Sequence, residues 1–358
     1  MTAYLLLLLP ILCLPLPSCS SHHSPAHHLM TPQPSLRQLA ARAGVDFGAA
    51  VNPLLLTSIP PYAAILAREC TVLAPENHMK MKHLQPQPGS FNFAPADALV
   101  AFAQKNHQRV FGHTLVWHHM PPHWLQTTTW SRAQLLDIMT NHITTVVAHF
   151  KGRVYAWDVV NEAIADSGGL RSSLWLNVIG PEYIDFAFSC AHQADPHALL
   201  FYNDYDAEAL NPKSDQVYAL VRGLKQRGVP IHGVGLQCHW KYDHYPPLHD
   251  VVSNISRLVA LGLEVHISEL DLRIDLPVTP EKLHRQALAY YDIVTTCLTT
   301  PGCNALRLWG ITDAHSWVPG HFKGCAAPLP FDEHYQPKPA YFAIRDALRS
   351  LPPRSLAP

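Results

Sequence analysis

The sequence predicts an α/β protein folded as a single (β/α)8 TIM barrel. Two observations carry that reading. Short, apolar, β-rich segments alternate with longer segments of helical apolar spacing, which implies parallel strands joined by right-handed crossovers. Eight such units fit into the roughly 310 residues that follow residue 36, the usual scale of this barrel. A doubly wound open sheet is the structural alternative. No Gly-x-Gly-x-x-Gly follows the first expected strand and no phosphate-binding loop motif occurs, so nucleotide binding has no support.

The expected strands are 45–51, 71–74, 110–114, 154–160, 199–203, 233–237, 265–268 and 306–310. Helices are expected at 96–105, 132–150, 183–193, 215–226, 248–261 and 281–298. In 132–150 the apolar residues Leu135, Ile138, Met139, Ile143, Val146, Val147 and Phe150 recur at intervals of three and four, which is one face of a helix. The helix over 215–226 has a start signal in Asn211-Pro212 and a stop signal in Arg227 followed by Gly228.

The composition sets limits. The chain has 358 residues, of which 48% are hydrophobic, ample for a large core. Its formal net charge of −1 excludes a general nucleic-acid binder. The 24 histidines make the net charge sensitive to pH below neutrality but identify no function.

Residues 1–19 read as a signal peptide, with an apolar run too short and too rich in proline to span a membrane. Leu16-Pro17-Ser18-Cys19 resembles a lipoprotein cleavage box, with Cys19 as the lipid acceptor. Residues 20–34 read as a flexible linker, 35–350 as the barrel and 351–358 as a C-terminal tail. The expected location is therefore exported: secreted, periplasmic or lipid-anchored at the cell surface. A lipid anchor would be the only membrane contact. Among the remaining cysteines, Cys297 and Cys303 flank a short loop that a disulfide can close in an exported protein. The cysteines show no paired zinc-ligand spacing, and no metal or cofactor is expected.

In a barrel of this kind the site lies at the C-terminal strand ends. The residues that follow the expected strands are Glu76, Asn77 and Lys80; His113, Trp117 and His118; Asn161 and Glu162; Asn203, Asp204 and Tyr205; Gln237, His239 and Trp240; Glu269 and Asp271; and Trp309, Asp313 and Trp317. Hydrogen-bonding groups interleaved with tryptophan suit a sugar, which offers hydroxyls at its edge and flat C–H faces. Glu162 and Glu269 each end an apolar strand, where an unpaired charge is disfavoured. Two opposed carboxylates flanking a bond are what glycoside hydrolysis requires. Asn161 is placed to bond a sugar 2-hydroxyl, His239 to orient Glu269 and keep it ionised, and Asp271 to tune that network.

These segments resemble glycoside hydrolase family 10, the endo-β-1,4-xylanases. The resemblance rests on Glu76-Asn77-His78-Met79-Lys80, Gly112-His113-Thr114-Leu115-Val116-Trp117-His118, Trp157-Asp158-Val159-Val160-Asn161-Glu162, Phe201-Tyr202-Asn203-Asp204-Tyr205, Gly233-Val234-Gly235-Leu236-Gln237, Ser268-Glu269-Leu270-Asp271 and Trp309-Gly310-Ile311-Thr312-Asp313, in that order. It implies one catalytic domain that cuts xylan or xylo-oligosaccharides internally by a retaining double displacement. Glu162 would be the general acid/base and Glu269 the nucleophile, with their carboxyl groups about 5–5.5 Å apart. It implies sugar contacts from Glu76, Asn77, Lys80, His113, Trp117, Gln237, Trp309 and Trp317 on the non-reducing side of the cut, and from Tyr205 on the reducing side. It also matches Cys297 and Cys303 to a disulfide position found in some members. A monomer is expected. The chain departs from the family pattern at Met81, His119 and Met120, where aromatic, small or amide residues are common. Two other readings are a retaining β-glycosidase on cellulose or a mixed glucan, and a non-catalytic xylan-binding protein at the cell surface.

Overall fold

The computed structural model describes residues 33–350. The expected signal peptide, its Cys19 acceptor, nearly all of the expected linker and the tail 351–358 lie outside the described residues.

The strands in chain order are β1 (Asp46–Val51), β2 (Val72–Pro75), β3 (Arg109–Trp117), β4 (Ala156–Asn161), β5 (Leu199–Asp204), β6 (Gly233–Leu236), β7 (His239–Lys241), β8 (Glu264–Asp275), β9 (Cys303–Leu308) and β10 (Cys325–Ala326). Eight of them, β1 to β6 with β8 and β9, pair in parallel, and β9 returns to β1 through Asp46↔Ala305 to Ala49↔Leu308. That last pairing closes the sheet into the expected barrel. Helices cross between its strands, and every barrel strand presents its C-terminal end at one mouth.

All eight expected barrel strands are present, with shifted ends. The seventh was expected over 265–268, but β8 runs on to Asp275 because its outer half leaves the barrel. There it pairs with β7 on one side (His239↔Asp271 to Lys241↔Arg273) and with β10 on the other (Cys325↔Asp275, Ala326↔Ile274). The eighth was expected over 306–310, but β9 starts at Cys303, and the chain turns out of the sheet at Gly310 with φ +115°.

Local chemistry explains the helix ends. Arg132–Phe150 starts at a capping box, in which Ser131 accepts from Gln134 N–H and the Gln134 side chain bonds back to Ser131 N–H. Pro212–Gln226 starts at Asn211, whose side chain accepts from Ser214 N–H, and Pro212 occupies the first turn, where its missing N–H costs nothing. Helices Leu36–Ala43, Pro60–Glu69 and Pro339–Ser350 were not anticipated.

Most apolar residues pack between the sheet and its helices. A second, small cluster of Val72, Ala74, Phe111, Ala156 and Phe201 fills the barrel interior. Beside it the buried Arg307 lies over the Phe111 ring at 3.7 Å and donates to His266 at 3.2 Å. The disulfide Cys297–Cys303 ties the end of helix Pro280–Thr299 to the start of β9, with Cα atoms 5.3 Å apart. That is the end of the strands remote from the mouth. Cys70, Cys190 and Cys238 are free and buried.

Gly112 on β3 shows how tightly the wall is built. A Cβ at this position would lie 2.1 Å from the Trp157 ring on β4, and Trp157 is itself fully enclosed. Gly112→Ala is therefore expected to destabilise the barrel by about 1–3 kcal/mol through overpacking, read as a lower midpoint in urea unfolding.

Candidate active site

The mouth is assembled from strand ends and from irregularities in their pairing. Register shifts interrupt β3–β4 between His113 and Val116, β4–β5 between Asp158 and Val160, and β8–β9 between Ile267 and Leu270. Such interruptions re-aim side chains, and each one adjoins a residue of the site.

Glu269 lies within β8 and is only 4% exposed. Asn203 Nδ2 from β5 donates to its Oε1 at 2.7 Å, and His239 Nε2 meets its Oε2 at 3.1 Å. The other nitrogen of His239 is 2.9 Å from Asp271 Oδ2, which also accepts from Trp317 Nε1 at 2.8 Å. His113 approaches Glu269 Oε1 to 3.9 Å while its nearer bond, 2.9 Å, is to Asp158 Oδ2. Burial alone would raise the Glu269 carboxyl, but the bond from His239 and the charges of His113, His239 and Lys80 outweigh it and hold the group below the usual carboxylate range. Burial would likewise depress His239, yet Asp271 and then Glu269 push it up to about 10.

Glu162 follows β4 in the left-handed region, with φ +57°. Its Oε2 accepts from Trp117 Nε1 at 2.8 Å. Its Oε1 accepts from Gln237 Nε2 at 3.0 Å and Asn161 Nδ2 at 3.1 Å. Asn161 Oδ1 in turn accepts from Asn203 Nδ2 at 2.9 Å, so a continuous chain of amides links the two glutamates. His118 Nδ1 lies 3.9 Å from Glu162 Oε2, and burial lowers the pKa of its ring.

Lys80 forms one wall. Its ammonium donates to Asn77 Oδ1 at 3.0 Å and sits 4.7 Å from the Trp117 ring centre and 5.7 Å from that of Trp309. Burial lowers its pKa against the opposing pull of Glu269, Glu76 and Glu162. Burial raises the Glu76 carboxyl, with Lys80 and Asn77 opposing. Trp309 packs edge-on to His113 at 5.1 Å, and Trp317 to His239 at 4.9 Å.

The structure thus brings together Glu162, Glu269, Asn161, His239, Asp271, Glu76, Asn77, Lys80, His113, Trp117, Gln237, Trp309 and Trp317. Tyr205 stands in a neighbouring network, donating to Asp166 at 2.7 Å beneath the Lys213 ammonium, which lies 3.4 Å from its ring centre. Cys297 and Cys303 are not part of the mouth. Met81, Met120 and His119 gather against Lys80 and Trp117, around a small pocket completed by Leu115, Pro121 and Trp175.

Sequence reasoning placed Asn203 at a strand end but gave it no role, although the rule that singled out Asn161 applies to it equally. Asp158 was also missed. Its signal was a carboxylate in the middle of an otherwise apolar strand. Arg171, which donates through Nε to the Glu162 carbonyl at 3.0 Å, comes from a loop and carried no sequence signal.

The site chemistry makes a prediction independent of any substrate. With its pKa near 10, His239 is an imidazolium at neutral pH, bridging Asp271 and Glu269. Nitrogen-15 spectra of histidine-labelled protein at pH 7.5 should show both of its ring nitrogens protonated. A neutral tautomer at that pH would contradict the network.

The same barrel occurs in known proteins. The model of glycosyl hydrolase family 10 matches residues 35–347. Endo-1,4-beta-xylanase B of Thermotoga neapolitana is 44% identical over 316 residues, which cover 87% of this chain and 91% of that protein. An endo-1,4-beta-xylanase of Geobacillus stearothermophilus is 42% identical over 332 residues, covering 87% of this chain and 98% of the relative. The crystal structure of xylanase 10B from Thermotoga petrophila RKU-1, a complex with xylobiose, superposes with a TM-score of 0.87 at 43% identity, covering 89% of this chain and 98% of that one. With the family model running along almost the whole barrel and relatives above two-fifths identity covering it, this chain belongs to glycosyl hydrolase family 10.

Proposed function

We propose that the protein hydrolyses internal β-1,4-xylosidic linkages of xylan with retention of configuration, using Glu269 as nucleophile and Glu162 as general acid/base. The observation that carries this reading is the different company of the two carboxylates. Glu269 faces the imidazolium of His239, which favours a group that stays ionised. Glu162 accepts hydrogen bonds from an indole and two amides, which are neutral donors. Neutral donors suit a group that must gain and lose a proton in each turnover.

In the first step Glu269 attacks the anomeric carbon as Glu162 gives its proton to the departing glycosidic oxygen. In the second step Glu162 takes a proton from water, which attacks the same carbon from the opposite face and releases Glu269. Two inversions give net retention. Lys80, Asn77 and Glu76, with the faces of Trp309 and Trp317, supply the groups that hold xylose on the non-reducing side. We also assign Tyr205 to the reducing side and export to the leader at residues 1–19. The disulfide supports export, since such bonds persist in oxidising compartments. We also propose that the protein acts as a monomer.

The test is hydrolysis of xylan, with mixed glucan and cellulose in parallel, and products resolved by size and anomeric configuration. Short β-configured xylo-oligomers are expected. Inverted products would overturn the mechanism, and cleavage of the glucans alone would overturn the substrate. Glu269→Ala should abolish turnover of xylan while leaving xylo-oligosaccharide binding measurable by calorimetry. Glu162→Ala should lose about 10²–10⁴-fold on xylan but little in kcat/KM on an aryl xylobioside with a good leaving group. The acidic limb of the kcat/KM profile reports ionisation of the nucleophile in the free enzyme. His239 holds the Glu269 pKa down against burial, so its loss lets that pKa rise. For His239→Asn the acidic limb should therefore move to higher pH. A limb that stays in place would contradict the role given to His239.

A further inference from the structure

The backbone that carries Glu162 is held from outside the mouth. Glu162 is left-handed at φ +57°, a conformation that a non-glycine residue keeps only when its surroundings enforce it. The enforcing contacts are specific. The Tyr202 hydroxyl oxygen accepts two backbone bonds, from Ala163 N–H at 3.0 Å and Ile164 N–H at 3.2 Å, the two residues that follow Glu162. Its own proton goes to Asp204 Oδ2. Asp204 Oδ1 is 3.1 Å from the Lys213 ammonium, which reaches on to Asp166 at 3.1 Å.

Arg171 closes the other side, donating to the Glu162 carbonyl at 3.0 Å and the Ile164 carbonyl at 2.9 Å. Its own N–H donates to the Ala163 carbonyl at 2.7 Å, while Glu162 N–H donates to the Asn203 carbonyl at 2.8 Å. Every N–H and C=O from Glu162 to Ile164 thus has a partner. Tyr202 and Asp204 are fully buried, and their hydrogen bonds and ion pair run to each other, to the backbone of Ala163, Ile164 and Tyr205, and to Lys213.

We infer that Tyr202, fixed by Asp204, is a positioning residue for the acid/base: it clamps the turn after Glu162 and so aims the Glu162 carboxyl at the leaving oxygen. The inference rests on the acid/base role proposed for Glu162. It predicts damage to proton transfer in particular, because the clamp acts on the Glu162 turn.

The discriminating variant is Tyr202→Phe, which keeps the ring and removes the oxygen that accepts both amides. Two substrates separate the possibilities: xylohexaose, whose sugar leaving group needs a proton, and 2,4-dinitrophenyl β-xylobioside, whose phenolate leaves without one. For Tyr202→Phe we expect kcat/KM on xylohexaose to fall at least tenfold and kcat/KM on the aryl glycoside to change less than twofold. On the aryl glycoside kcat and KM should fall together, because the base-assisted second step slows and the glycosyl-enzyme accumulates. Equal losses on both substrates would mean a general structural defect and would overturn the inference, as would unchanged activity on both. If Tyr202→Phe does not fold, Arg171→Lys carries the same test from the other side of the turn. It should give a smaller split in the same direction, and no split would overturn the clamp. Failure of the wild-type protein to cut xylohexaose would be a failure of the proposed function instead.

Discussion

The mouth of this barrel depends on one constraint, the cost of keeping Glu269 charged where water scarcely reaches it. A buried carboxylate unaided takes up a proton. Here the ionised form survives because His239 is held cationic by a third group, Asp271, and because Lys80 adds positive charge. The cation must itself be stabilised, since burial works against it as well. Glu269, His239 and Asp271 therefore form a unit with no independent member. Trp317 is tied into the unit through Asp271, so a residue expected to bind sugar is also oriented by the network around Glu269.

The fold makes such a cluster feasible at little local cost. Each residue of the unit hangs from a hydrogen-bonded strand, Glu269 and Asp271 from β8 and His239 from β7, and the β7–β8 pairing sets the register between them. β7 has no place in the barrel, yet it pairs with the outer half of β8 and sets His239 directly opposite Asp271. The extension of β8 beyond the barrel thus serves the site. It supplies the frame on which the imidazole is held against two carboxylates at once.

The barrel and the carboxylate pair were legible in the sequence for a physical reason. Strands buried on both faces read as short apolar runs, and a glutamate ending such a run stands out. The helix Arg132–Phe150 was legible to the residue because its apolar face and its capping residues agree. What was not legible depends on tertiary pairing. β7 and β10 are three and two residues long and carry no periodicity. The extra length of β8 follows from those same partners. Asn203 was visible as a strand-end amide, but its bond to Glu269 spans 66 residues of sequence, and no local pattern encodes it. Arg171 stabilises a turn by donating to backbone carbonyls, an acceptor that every residue offers, so no side-chain pattern marks its partners.

β5 shows why the site cannot be reduced to its two glutamates. Side chains alternate between the faces of a strand. Asn203 projects towards the mouth, where it bonds both Glu269 and Asn161. Tyr202 and Asp204, its neighbours on either side, project the other way and bond each other. From there Tyr202 reaches the amides that follow Glu162, and Asp204 reaches Lys213 on the helix Pro212–Gln226. One strand therefore addresses the side chain of one carboxylate from its inner face and the backbone of the other from its outer face. A slip of one residue in its register would exchange the two faces and undo both arrangements at once. The four-residue pairing of β5 with β6, from Phe201↔Gly233 to Asp204↔Leu236, opposes such a slip. So does the absence of a side chain at Gly233, where a Cβ would meet the Phe201 ring at 2.1 Å. The spacing of Glu162 from Glu269 is in this sense a property of strand register, and the residues that secure it lie as much behind the sheet as in the cleft.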